Sequence, residues 1–95
     1  MNGYRIDREL TEIGESIRGS RMVLGLTAKQ LSDRAGITRG TLRRIEQGEP
    51  GVSFGNVAQV LRGLGILDKV VDGVDPLNSD LGRLRAGQLT KKRAR

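Results

Sequence analysis

Residues 24–53 read LGLTAKQLSDRAGITRGTLRRIEQGEPGVS, and the punctuation within this stretch decides the fold. Thr27, Thr38 and Ser53 each stand where a helix can begin, since a hydroxyl there accepts from an otherwise unpaired first-turn amide. Each is preceded by an apolar residue and followed by another four positions on: Leu26 with Leu31, Ile37 with Leu42, and Val52 with Val57. Such pairs staple the incoming chain to the first turn of the helix. Thr27 and Gln30 add a reciprocal capping box. Gly36 and Gly48 then close the first two helices, as glycines do just past a last helical residue. The sequence therefore predicts short helices over residues 28–35, 39–47 and 54–64, the last ended by Gly65.

Upstream, Ile6, Leu10, Ile13 and Ile17 recur at three- and four-residue spacing, which predicts one long amphipathic helix over residues 7–24. Gly14 and Gly19 should weaken it by about 1 kcal/mol each relative to alanine. Downstream, helix 54–64 should bury Val57, Val60 or Ala58, Leu61 and Leu64, and residues 66–71 form a fifth apolar segment that needs covering. No strand alternation appears before residue 74. Asp75-Pro76 interrupts any helix, and residues 77–95 are polar, basic and poor in core residues. The expected architecture is all-α: a compact bundle of about five short helices over residues 1–74, then a basic C-terminal extension over 75–95, mobile until it binds something.

Composition narrows the function. The 95 residues contain no Cys and no His, which removes disulfides, Cys/His zinc sites and the usual nucleophile and general base. With the carboxylates spread over helix surfaces, neither an enzyme nor a bound cofactor or metal is expected. No apolar run approaches the roughly 20 residues that cross a membrane, so a cytoplasmic protein is expected. The net charge of +6 is uneven: residues 81–95 hold Arg83, Arg85, Lys91, Lys92, Arg93 and Arg95 and no acid. A basic tail on a near-neutral body suits a polyanion partner.

Two short helices joined by the tight turn Ala35-Gly36-Ile37-Thr38 make a helix-turn-helix, whose second helix lies in the DNA major groove. If Leu42 and Ile45 face inward, then Arg39, Gly40, Arg43, Arg44 and Gln47 face outward. The arginine fork matches guanine O6 and N7, so this face has the chemistry of a groove reader.

The combination LTxxxLxxxAGIT followed by TLxxIExG, within residues 17–64, resembles the phage-repressor/Cro-like helix-turn-helix family, also called the xenobiotic-response-element family. The resemblance implies a structural ion pair between Arg21 and Glu46. It implies base reading by Thr38, Arg39, Gly40, Thr41, Arg43 and Arg44, and backbone contacts from Thr27, Ala28, Lys29, Gln47 and Ser53. Ala28 departs from the family's frequent Gln at the first position of the second helix, removing one phosphate clamp. Glu49 would repel phosphate unless it points away. Lys91, Lys92, Arg93 and Arg95 are expected to add backbone contacts.

The reading at this point is a sequence-specific, autoregulatory repressor that binds a palindromic operator in double-stranded DNA as a homodimer, with Leu67, Val70 and Val71 as the dimer surface. The length, the fifth segment and the basic end are also similar to small HipB-like antitoxins, which implies a toxin protein as a second partner. A controller protein of a restriction system, or a phage switch, is a further alternative.

Overall fold

The computed structural model describes the backbone of residues 6–93 and the side chains of residues 6–90. Among these residues the chain is all-helical, with seven α-helices and no strand. Five of them make the body: α1 (Ile6–Val23), α2 (Ala28–Ala35), α3 (Arg39–Glu46), α4 (Phe54–Gly63) and α5 (Leu67–Val74). A 3-10 turn (Pro76–Asn78), α6 (Asp80–Leu84) and α7 (Gly87–Arg93) follow as an arm. The sequence predicts a basic extension here without assigning it any helix. Its helices start from local chemistry: the Asp75 side chain accepts from the Leu77 amide with Pro76 opening the turn, and Ser79 accepts from the Gly82 amide.

All three predicted caps are formed. The Thr27, Thr38 and Ser53 hydroxyls accept from the amides of Gln30, Thr41 and Asn56. Thr27 and Gln30 close the reciprocal box, the Thr27 amide donating to Gln30 Oε1 at 2.8 Å. At the far end of α2, Gly36 takes a left-handed φ of 69°. Its amide turns back to Asp33 O, and the Ile37 amide reaches Ser32 O at 3.0 Å. This closure satisfies two of the helix's last carbonyls and reverses the chain within a few residues.

The core is Ile17, Leu31, Ala35, Leu42, Ile45, Val60, Leu61 and Leu64, with Leu26, Ile37, Val52 and Val57 packed around it. Each fully buried aliphatic side chain stabilises the fold by about 1.5–3 kcal/mol. Four helices contribute, so no pair of them would be stable alone. Ser32 is buried with them, its hydroxyl donating to Lys29 O at 2.9 Å. The apolar face of α1 is only partly used. Ile17 is buried, Leu10 half-buried, and Ile6 and Ile13 are 42% and 50% exposed. The reason is length: α1 has 18 residues and its main partner α3 has 8, or about 27 Å against 12 Å at 1.5 Å per residue.

Candidate nucleic-acid interface

α3 is held on one side. Leu42 and Ile45 are 1% and 4% exposed, and both belong to the core. At 3.6 residues per turn, burying this pair turns Gly40, Arg43, Arg44 and Gln47 to the opposite side; Arg39, three residues before Leu42, stands at the edge of that face, and all three arginines are exposed. Gly40 is exposed beside them, with room around it for a Cβ. Thr38 is exposed and Thr41 half-buried; their hydroxyls lie 3.0 Å apart, and Arg44 Nη2 donates to Thr41 Oγ1 at 3.3 Å. Five of the six positions assigned to base reading, Thr38, Arg39, Gly40, Arg43 and Arg44, are thus exposed on α3 and its N-cap, and the sixth, Thr41, is half-buried.

The start of α2 lies alongside. Ala28 lines one shallow cleft with Arg39, Leu42, Arg43 and Glu46. Thr27 and Lys29 flank Ala28 and are exposed. The capping box engages the amides of Thr27 and Gln30, which leaves those of Ala28 and Lys29 without an intrahelical acceptor next to the arginines. Lys29 Nζ is engaged by Asp33 Oδ2 at 2.9 Å. Gln47 and Ser53 are also exposed, at the end of α3 and the start of α4. The side chains of Lys91, Lys92 and Arg93, and the whole of Arg95, lie outside the described residues.

The orientation of α3 is fixed from its C-terminal end. Arg21 Nε donates to Glu46 Oε2 at 2.7 Å and Nη2 to Oε1 at 3.1 Å, a two-pronged ion pair, while Nη1 donates to Leu26 O at 3.1 Å. Both side chains are largely covered, at 13% and 10% exposure. The hydrogen bonds to Glu46 hold the Arg21 pKa above its already high ordinary value; burial opposes this, and the Glu46 charge adds to it. The pair that the resemblance implied is therefore present and serves as a strut.

Two glycines contribute to the same joint and escaped the sequence reading as contact residues. A Cβ on Gly14 would stand 2.5 Å from Glu46 O and 2.8 Å from Ile45 O; one on Gly48, whose φ is +75°, would stand 2.6 Å from Leu10 O. α1 thus crosses the end of α3 at a distance only glycine permits. Nothing in the spacing along α1 signals this, because the neighbour is 32 residues away in sequence.

The proposed dimer residues divide. Leu67 and Val70 are half-buried against the core, whereas Val71 is 58% exposed.

The helix-turn-helix domain family matches residues 12–72. The chain belongs to this family. Within it the domain is of the Cro-like, xenobiotic-response-element group. Nothing matches the chain among curated proteins or among solved structures. The family match covers most of α1 and continues into α5, stopping before the arm. As a member of this family, the chain is a DNA-binding protein. No helix among the described residues is long and apolar enough to cross a membrane.

Proposed function

We propose that this helix-turn-helix protein is a sequence-specific repressor of its own promoter, binding a palindromic operator as a homodimer. The observation that carries the reading is the division of α3 into a buried stripe, Leu42 and Ile45, and an outer face of three exposed arginines. Those arginines do no work in the core, and their forks match guanine edges, each good bidentate contact discriminating by about 1–3 kcal/mol. Thr38, Gly40 and Thr41 complete the reading face, Gly40 by letting the backbone approach the bases.

Thr27, Lys29 and the free amides at the start of α2 anchor a phosphate. Gln47 and Ser53 hold the neighbouring backbone, and Lys91, Lys92, Arg93 and Arg95 add affinity through counterion release. Two copies of α3 then enter successive major grooves about 10 bp apart, and the occupied operator excludes polymerase.

The test is a fluorescence-anisotropy titration, at fixed near-physiological salt, against the gene's own upstream region and a scrambled duplex of equal length. Affinity for the upstream DNA about 1,000-fold above the scrambled control is the expected result. Equal, steeply salt-dependent binding to both would mean that only charge is read.

A further inference from the structure

The arm carries apolar side chains that the protomer leaves uncovered. Leu77, Leu81 and Leu84 are 45%, 58% and 83% exposed, and Leu81 and Leu84, three apart on α6, share a face. The arm is nonetheless a built element. Arg83 donates to Leu77 O at 2.9 Å and to Asp80 Oδ1 at 2.6 Å, and α6 packs on the 3-10 turn, which packs on α5. It projects from the body. The radius of gyration is 16.2 Å, against about 12 Å for a compact chain of this length.

The body has an open groove of opposite character. Ile13, Ile17, Leu61 and Ile66 form its floor, and Glu9 and Glu12 its rim. It runs on past Ser16 and Ser20 to Val23 and Leu24, which are 87% and 53% exposed. The α1 carboxylates Asp7, Glu9, Glu12 and Glu15 form no ion pair among the described residues. The arm's charge is the complement: after Asp80 every charged residue is basic.

We propose that this groove receives the arm of a second copy of the chain, and that the exchange is reciprocal about a two-fold axis. Leu81 and Leu84 of one copy cover Ile13 and Ile66 of the other, while Arg85 meets Glu9 and Glu12. A contact in which the same two surfaces serve both copies closes at the dimer. It satisfies an apolar face and an acidic groove that the single chain leaves open. This builds on the homodimer of the repressor reading and changes what holds it, since Leu67 and Val70 face the protomer's own core.

The experiment is sedimentation velocity on the full chain without DNA, so that failure to bind an operator has no bearing on it. The wild-type chain is expected to be a dimer at micromolar concentration. Leu84→Asp, at a position with almost no packing in the protomer, should weaken dimerisation about tenfold or more with an unchanged circular-dichroism spectrum. Glu9→Lys/Glu12→Lys and Arg85→Glu should each be largely monomeric alone and form a dimer when mixed one to one, because both exchanges then pair opposite charges. A monomeric wild type, a mixture that stays monomeric, or a Leu84→Asp chain that dimerises like wild type would each overturn the exchange. The last of these leaves a homodimeric repressor standing on another surface.

Discussion

Gly14 lies against Glu46 so closely that a Cβ on the glycine would stand 2.5 Å from the Glu46 carbonyl oxygen. α1 and the recognition helix α3 are thus in backbone contact at the turn where the Arg21–Glu46 ion pair also forms. Gly19, five residues along the same helix, has nothing within 4 Å of the equivalent position. The two glycines invite the same substitution with opposite outcomes.

Gly19→Ala should stabilise the protein by up to about 1 kcal/mol, the helix-propensity difference. Gly14→Ala gains the same propensity but forces α1 off α3, and overpacking of this kind costs about 1–3 kcal/mol. Urea denaturation of the two variants checks the sign of each. A stabilised Gly14→Ala would contradict the close approach.

Removing one partner of the Arg21–Glu46 pair should destabilise by about 3 kcal/mol, because a largely covered charge is left alone. Arg21→Met/Glu46→Leu together should recover most of that loss. The coupling energy from a double-mutant cycle is the measurement. Since the Arg21 pKa is raised on folding, its contribution is fully present below the ordinary arginine range and lost only as pH rises through the still higher folded value. Stability should therefore show no arginine-linked change between pH 5 and pH 9.

Arg39→Ala should leave the unfolding midpoint nearly unchanged, since the side chain is exposed, yet lower discrimination between operator and scrambled DNA by about 1–3 kcal/mol. Removal of residues 88–95 should instead weaken binding to both duplexes alike and flatten the salt dependence. Equal losses on both duplexes for Arg39→Ala would remove it from the base-reading set.

Asp33→Asn frees the Lys29 ammonium from its 2.9 Å partner. Binding to all DNA should tighten, with the salt slope steeper by about one, while stability changes little because exposed pairs contribute little. Unchanged affinity at low salt would take Lys29 off the phosphate-contacting edge.

The parts legible in the sequence are those fixed by neighbours a few residues apart. Thr27, Thr38 and Ser53 cap helices through amides three positions on, so their roles survive without any tertiary knowledge. The burial of Leu42 and Ile45 and the exposure of Arg43 and Arg44 follow from helical period, whereas Arg39 lies at the edge of the stripe, where period alone does not decide. The partnership of Arg21 with Glu46, 25 residues apart, came only through family resemblance. From sequence alone Gly14 is only a weak point in a helix, because its contact is across the fold. Period puts Ile13 on the face of Ile17 but does not say whether a partner is long enough to cover it. The helices of the arm are not legible, because Asp75-Pro76 reads as a break and few core residues follow it.

The way α3 is mounted has a consequence for how such a protein can change. What anchors the helix, namely the Thr38 cap, Leu42, Ile45, the Glu46 carboxylate and the glycine joint, lies at its N-cap, on its inner side or in its final turn. Arg39, Gly40, Arg43 and Arg44 carry none of that burden. Under the proposed base-reading role, substitutions on the outer face would change the DNA sequence bound while the scaffold keeps its folding free energy, so that address and architecture could evolve independently.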